Sequence, residues 1–178
     1  MIILVKGTPD SGKSKLAEEL TCQMAGQTKK YYIATMVPYG EEGKKRVEKH
    51  RKLREGKGFE TLELPILRGR LSEVEDKSST CLLECTSNLV GNEMFLEENS
   101  GLGDEELKAL ILESMYELGK KVTNLIIVTN EFEKENPEYD QSTRRYIHMT
   151  DLVNEELKEY ADVVYEHVKG EWKKYDNN

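Results

Sequence analysis

The sequence predicts an α/β fold in which helices cover both faces of a largely parallel β-sheet. Short apolar runs near residues 2–5, 31–34, 81–83 and 125–128 have the length of buried strands. Longer amphipathic or charged stretches separate them, and this alternation of strand and helix is typical of the α/β class. At about 150 residues per domain, the 178 residues predict a single domain.

The predicted elements alternate along the chain. Strands are predicted at residues 2–6, 31–35, 59–64, 80–85, 124–129 and 162–168, and helices at residues 12–25, 41–54, 67–76, 104–120 and 141–160. Leu16, Leu20 and Met24 form an apolar stripe on the first helix, and Asp104 is the expected N-cap of the fourth. We expect the loop at residues 89–103 to be mobile, and the polar tail from about residue 170 to fray.

The charge balance limits the partners of this chain. It has 26 Lys and Arg against 34 Asp and Glu, a formal net charge of −8, which argues against a nucleic-acid binder held by a broad basic face. An anionic ligand must therefore find local positive charge. No apolar run approaches the roughly 18 residues of a membrane span. We expect neither a nucleic-acid partner nor a membrane-spanning segment.

The three cysteines, Cys22, Cys81 and Cys85, show no spacing typical of zinc ligands. Cys81 and Cys85 lie on one predicted strand at a spacing that should turn both to the same side, as small core residues. An odd number of cysteines without a disulfide pattern fits a reducing compartment, so a cytoplasmic location is expected.

Residues 7–14 match the phosphate-binding pattern G-x-x-x-x-G-K-S at every fixed position. They are, in order, Gly7, Thr8, Pro9, Asp10, Ser11, Gly12, Lys13 and Ser14. An apolar strand precedes the loop and a helical pattern follows it, so that backbone N–H groups and a helix N-terminus can surround phosphate oxygens. Lys13 can reach the β- and γ-phosphates, and Ser14 can offer its hydroxyl to Mg²⁺. The alternative is a glycine-containing turn with a chance Lys-Ser pair.

An acidic residue at the end of a second apolar strand would complete a magnesium site beside such a loop. Glu84 is the candidate, because it follows the apolar residues 81–83. Aspartate is the usual residue at this position, and glutamate is one methylene longer. The alternative is a surface acid at the end of a strand.

The predicted helix at 41–54 concentrates positive charge in an otherwise acidic chain. Arg46, His50 and Arg54 follow one another at four-residue spacing and therefore share one face of the helix. A histidine between two arginines should favour the neutral imidazole that a nucleophile or a base requires. A solvated charged face without chemistry is the alternative.

Several segments together resemble a known family. They are the phosphate loop, Tyr32-Ile33-Ala34-Thr35, Glu42…Arg46-Val47-x-x-His50-Arg51-x-x-Arg54, Phe59-Glu60-Thr61-x-Glu63-x-Pro65, Val128-Thr129-Asn130-Glu131 and Ala161-Asp162-x-Val164. In order and spacing they resemble the bifunctional adenosylcobinamide kinase / adenosylcobinamide-phosphate guanylyltransferase family of cobalamin biosynthesis. The resemblance covers nearly the whole chain and is densest over residues 1–65.

The resemblance implies two reactions on a P-loop NTPase fold, RecA-like with three αβα layers. In the first, the γ-phosphoryl group of a nucleoside triphosphate passes to the hydroxyl of the aminopropanol arm of cobinamide. In the second, a histidine attacks the α-phosphate of GTP, expels pyrophosphate and carries GMP as a phosphoramidate to cobinamide phosphate. His50 matches that histidine by its place in the motif.

The same resemblance implies the rest of the site. Arg46, Arg51 and Arg54 would stabilise phosphoryl charge, and Glu63 would belong to the nucleotide-binding residues. The implied cofactor is Mg²⁺, the co-substrate is GTP (or ATP), and the acceptor is a corrinoid. The implied assembly is a homotrimer, in which the histidine helix at about 41–54 projects from a single nucleotide-binding domain spanning residues 1–178.

Two departures from the family pattern leave other functions open. Glu84 replaces the usual aspartate, and the acidic stretch at 132–138 replaces a glycine-containing one. A P-loop kinase acting on another small hydroxyl compound, or a non-catalytic nucleotide-binding protein, would also fit. Asn130 and Glu131 follow an apolar strand and are expected at the ligand-binding edge of the sheet. His148 and His167 are expected at surface or edge positions and not as ligands.

Overall fold

In a computed structural model, which describes residues 1–177, the chain forms a seven-stranded sheet with helices on both faces. The strands are β1 (Ile2–Gly7), β2 (Lys30–Ala34), β3 (Phe59–Glu63), β4 (Thr80–Glu84), β5 (Asn124–Asn130), β6 (Val163–Val168) and β7 (Glu171–Asp176). The helices are α1 (Lys13–Ala25), α2 (Gly40–Arg54), α3 (Thr86–Met94), α4 (Asp104–Lys121) and α5 (Gln141–Tyr160). Among the described residues, no helix combines the length and the apolar character that crossing a membrane requires.

The strand order is β3-β2-β4-β5-β1-β6-β7. Every neighbouring pair is parallel except β6 and β7. The predicted α/β class with a largely parallel sheet is therefore confirmed. Because parallel strands end at one edge of the sheet, β1, β4 and β5 bring their following loops together there.

Two apolar cores lie on opposite faces of the sheet. In β1, Ile3 and Val5 face the core beneath α1, whereas Leu4 faces the core beneath α3, α4 and α5. This alternation is the two-residue period of a strand, and the predicted stripe on α1 packs against the first of these cores. The helix α2 contributes little to either core, since Arg54 is the one buried residue within it.

Residues 67–76 were expected to form a helix, and that prediction is wrong. The segment is irregular apart from a 3-10 turn at Leu71–Glu73. Leu67, Leu71 and Val74 are buried as the apolar spacing required, but Gly69 has a φ of +72°. A left-handed residue interrupts an α-helix, so the same side chains reach the core from an irregular backbone.

Residues 89–103 were expected to form a mobile loop, but the first six of them, 89–94, belong to α3. Leu89 and Val90 are fully buried, and α3 packs against α4 and α5. The residues of α3 have modest helix propensity, and the burial of its apolar side chains outweighs that low propensity. The prediction of Asp104 as the N-cap of α4 is also wrong. Gly103 holds the cap position, and its N–H donates a hydrogen bond to the Glu106 carboxylate at 2.9 Å.

The tail from about residue 170 was expected to fray, yet residues 171–176 form β7 antiparallel to β6. Lys169 and Gly170 connect the two strands with φ values of +52° and +87°. Positive φ at both positions is the geometry of a tight hairpin turn whose twist matches that of the strands. The predicted tail is therefore a paired edge strand.

Cys81 and Cys85 were expected on the same side of a strand. Both are buried, but Cys81 lies in the core beneath α3, α4 and α5 and Cys85 in the core beneath α1. The reason is that β4 ends at Glu84, so Cys85 caps α3 and no longer follows the alternation of the strand.

Candidate functional site

The loop at residues 7–14 connects β1 to α1, and its backbone is adapted to a close approach. Gly12 has a φ of +85° immediately before the helix begins at Lys13. A Cβ on Gly7 would lie 2.5 Å from Ser11 Oγ and 3.1 Å from the Cβ of His167, so a larger residue there would have to displace these side chains. Ser11 Oγ is buried and has no hydrogen-bond partner among the described residues. A buried hydroxyl without a partner at a helix N-terminus is suited to an anion.

Lys13 lies across this loop. Its side chain is buried, and Nζ donates a hydrogen bond to the carbonyl oxygen of Thr8 at 3.0 Å. Burial lowers the pKa of Lys13, because a low-dielectric environment disfavours the charged ammonium. A bound phosphate would supply the missing negative charge.

Glu84 connects three elements at the end of β4. Ser14 Oγ of α1 donates to Glu84 Oε1, and the Tyr32 hydroxyl of β2 donates to Oε2 at 2.9 Å. His50 Nδ1 of α2 lies 3.5 Å from Oε1. The candidate magnesium ligands predicted from sequence and the candidate histidine are therefore within contact of one another.

The residues around Glu84 suit a hard cation. A carboxylate and a serine hydroxyl are oxygen ligands of the kind that Mg²⁺ prefers. Within residues 1–177, no group of three acidic, histidine or cysteine side chains could hold a metal ion by itself. A cation here would complete its coordination with phosphate oxygens and water, which is common for Mg²⁺ at nucleotide sites.

The C-terminal end of α2 is fixed to the sheet. Arg54 is buried, its guanidinium carbon lies 3.4 Å from the centroid of the Tyr32 ring, and Nη1 donates to the His50 carbonyl oxygen at 2.9 Å. Just beyond the helix, Lys57 Nζ lies 2.6 Å from Oε2 of the fully buried Glu18 of α1. A guanidinium on an aromatic face and an ion pair between the half-buried Lys57 and the buried Glu18 hold the helix that carries His50.

His50 presents one ring nitrogen to the protein and leaves the other for a ligand. Nδ1 is buried and faces Glu84, without a hydrogen-bond partner among the described residues. The side chain as a whole is 22% exposed, so Nε2 is the nitrogen left to the open side. From the sequence, only arginines of the same helix were expected near His50. The sequence did not predict the carboxylate of Glu84 there, because that residue belongs to β4.

A cleft of about 900 Å³ joins these groups. Of the candidate site residues, it is lined by Pro9, Asp10, Gly12, Lys13, Ser14, Arg46, His50, Arg51, Arg54, Glu63 and Glu84. Gly7, Thr8 and Ser11 are not among the lining residues, and belong to the loop beneath it. Arg51 and Glu63 form an exposed ion pair of 2.9 Å.

The cleft is also lined by residues that sequence reasoning did not assign to the site, and three of these are aromatic: Tyr32, Phe132 and Tyr146. Tyr32 stands in one of the family-like segments, but a tyrosine on a strand gave no reason to place its hydroxyl on Glu84. Burial raises the pKa of Tyr32, and raises that of Tyr146 to about 12. Both phenols therefore remain hydrogen-bond donors at neutral pH.

Asn130 and Glu131 were expected together at the ligand-binding edge, and they separate. Asn130 lines the cleft. Glu131 instead pairs with Lys6 at 3.3 Å, and Lys6 also reaches Glu166 at 3.2 Å. Burial by itself lowers the pKa of Lys6, but the two carboxylates have the larger effect together, so the pKa of Lys6 is raised above its usual value. The histidines His148 and His167 do not line the cleft.

The chain was also compared with known proteins. A family model described as cobinamide kinase / cobinamide phosphate guanyltransferase matches residues 3–174. A search of curated proteins finds no match.

Two solved structures share the fold. The ATPase domain of G40P superposes with a TM-score of 0.57 at 8% identity, over 94% of this chain and 69% of that one. An ATPase from the type III secretion system of pathogenic bacteria gives 0.57 at 13% identity, over 94% of this chain and 51% of that one. This chain therefore spans about half the length of the second structure. At such identities the likeness shows the fold alone.

Proposed function

The chain belongs to the cobinamide kinase / cobinamide phosphate guanyltransferase family, and from this premise we propose that it carries out both reactions. It transfers the γ-phosphoryl group of a nucleoside triphosphate to adenosylcobinamide, and then GMP from GTP to adenosylcobinamide phosphate, in cobalamin biosynthesis. The observation that carries the proposal is the contact of Glu84 with both Ser14 and His50, which unites the phosphate loop and the histidine helix in one cleft.

In the kinase reaction, the loop at residues 7–14 holds the triphosphate. Lys13 contacts the β- and γ-phosphates in place of its present bond to Thr8, and Ser11 and the N-terminus of α1 donate to phosphate oxygens. Ser14 and Glu84 would hold Mg²⁺, which would neutralise charge on the phosphates. The acceptor hydroxyl then attacks the γ-phosphorus, the bond to the β–γ bridging oxygen breaks, and the hydroxyl proton is released.

In the guanylyltransferase reaction, His50 is the nucleophile. Nε2 attacks the α-phosphorus of GTP, the bond to the α–β bridging oxygen breaks, and pyrophosphate leaves. A phosphate oxygen of the acceptor then attacks the same phosphorus, and the P–N bond to His50 breaks. Arg46 and Arg51 stabilise the phosphoryl charge, whereas Arg54, already stacked on Tyr32, holds the helix in position.

The mass of the intact protein after incubation with Mg²⁺ and GTP, without acceptor, tests this proposal. We expect an acid-labile adduct of the mass of GMP on the unaltered protein and on a His148→Ala control, and none on His50→Ala. Phosphoryl transfer to adenosylcobinamide should persist in His50→Ala, because that reaction does not use the histidine.

Absence of the adduct, with GTP binding still measurable, would contradict the guanylyltransferase proposal. The P-loop would then serve a kinase for another small hydroxyl compound, or a nucleotide-binding protein without catalysis. Loss of both activities in His50→Ala, in a folded variant, would contradict the assignment of separate roles to the loop and the histidine.

The wider setting of the enzyme is also proposed. Residues 1–178 would act as one nucleotide-binding domain from which α2 projects, in the cytoplasm. The resemblance to the family implies a homotrimer, which light scattering on the purified protein would test.

A further inference from the structure

The cleft has two walls of different chemical character. One wall is α2, which lines it with cationic side chains: Lys45, Arg46, Lys49, Arg51 and Arg54. The other, the neutral wall, consists of Asn88, Asn130, Phe132 and Tyr146. Since the strand order places β4 between β2 and β5, Glu84 lies between the two walls.

The neutral wall is held rigidly from behind. The Tyr146 hydroxyl donates to the Ser87 carbonyl oxygen at 3.0 Å, and the Phe132 and Tyr146 rings are 5.5 Å apart. Asn130 Nδ2 donates to Ser87 Oγ at 2.5 Å, and the Asn130 carbonyl accepts from Asn154 Nδ2 at 3.0 Å. A wall with its side chains already fixed loses little entropy when it binds a ligand.

The wall also lies next to the reacting groups of the proposed kinase reaction. Asn130 pairs in register with Gly7, the first residue of the phosphate loop, and Glu131 N donates to the Gly7 carbonyl at 2.9 Å. On its other side, Asn130 Nδ2 lies 3.8 Å from the sulfur of Cys85, which follows Glu84. The wall therefore begins between the loop and the carboxylate, where the terminal phosphates would lie.

We propose that the neutral wall binds the hydroxyl-bearing acceptor of the kinase reaction through neutral amide groups and an apolar face of that molecule. This inference rests on the proposed function. The Asn88 side chain can both donate to and accept from an amide, and Asn130 Oδ1 can accept from one. The Phe132 ring offers an apolar surface. The neutral wall carries no cationic side chain that could bind a phosphate group. The triphosphate of the guanylylation step therefore lies against α2 instead.

Steady-state kinetics of two variants test the inference. Phe132→Ala and Asn88→Ala are compared with Phe95→Ala, a matched control because Phe95 is exposed and outside the cleft. We expect the KM for adenosylcobinamide to rise about tenfold in Phe132→Ala, since an aromatic contact worth this factor is lost. The KM for GTP and the formation of the GMP adduct should match the control, and thermal unfolding verifies that each variant folds.

The outcomes separate this inference from the proposed function. An unchanged KM for adenosylcobinamide in both variants would overturn the inference alone. A rise in the KM for GTP without one for the acceptor would also overturn it, and would make the neutral wall a nucleotide-base site. An unaltered protein that forms the adduct but phosphorylates no adenosylcobinamide would refute the proposed acceptor, and the inference with it.

Discussion

At the scale of single residues, Glu84 is where three elements of the chain meet. Its two carboxylate oxygens accept from Ser14 and Tyr32 and lie beside His50. Aspartate would be one methylene shorter, so the longer side chain extends the reach of the carboxylate across the cleft. An acid so placed is suited both to a cation and to orienting the imidazole.

Tyr32→Phe tests the support that the tyrosine hydroxyl gives to Glu84. The variant keeps the ring beneath Arg54 and removes only the donor, so one oxygen of a buried carboxylate loses its partner. We expect the free energy of unfolding to fall by about 1 kcal/mol, and the affinity for Mg²⁺-GTP to fall as well. Urea denaturation at neutral pH measures the first effect. Tyr175→Phe, at an exposed tyrosine of β7, is the control, and equal stability of the two variants would contradict the expectation.

At the scale of elements, α2 is attached to the rest of the molecule chiefly at its C-terminal end. Arg54 on the Tyr32 ring and Lys57 on the buried Glu18 lie within four residues of one another along the chain. Most of the remaining side chains of α2 are exposed or half-buried. The position of His50 over Glu84 therefore depends on contacts at one end of the helix.

Lys57→Ala tests this attachment. The substitution leaves the carboxylate of Glu18 buried without its partner, so we expect a loss of roughly 2 kcal/mol in the free energy of unfolding. Formation of the GMP adduct should also slow, because His50 loses its fixed position. The matched control is Lys52→Ala, whose lysine pairs with the exposed Glu48, and this substitution should cost less than about 0.5 kcal/mol. Equal costs for the two variants would show that the pair of Lys57 and Glu18 does not hold α2.

At the scale of the whole molecule, the sheet combines a nonpolar interior with a charged cleft at one edge. The buried interior holds titratable groups that are neutral in the folded protein, among them Cys81, Cys85, Tyr32 and Tyr146. Burial raises the pKa of each of them. In the unfolded chain the thiols ionise near pH 8.5 and the phenols near pH 10, in round figures.

Stability should therefore decline as the pH rises through the alkaline range. Above the ordinary thiol pKa the folded protein binds more protons than the unfolded chain, so the free energy of unfolding falls with pH. We expect a loss of about 2 kcal/mol between pH 8.5 and 9.5 from the two cysteines together. Burial lowers the pKa of Lys13, and this effect opposes the trend.

Urea denaturation at several pH values checks this expectation. Cys81→Ala should remove about half of the loss of unfolding free energy that is attributed to the thiols. Cys22→Ala keeps both buried thiols, so the unfolding free energy should fall with pH as steeply as in the unaltered protein. A stability that is constant from pH 8.5 to 9.5 would contradict the assignment.

Local information was enough for most of the fold and for the core of the candidate site. The predicted and observed bounds of β1, α1 and α5 agree to within a residue, because strand and helix periods are properties of consecutive residues. The phosphate loop and the helix of His50 were predicted for the same reason, since each is a continuous segment with its own spacing.

Tertiary structure decided the rest, because it depends on residues far apart in the chain. Gly69 interrupts a segment whose apolar spacing was helical, burial makes a helix of residues 86–94, and pairing with β6 orders residues 171–176. The contacts of Glu84 with Tyr32 and His50 and the neutral wall likewise join separate elements. The sequence by itself determined which chemical groups are present and on which element. Only the packing of those elements at the edge of the sheet decided which groups meet.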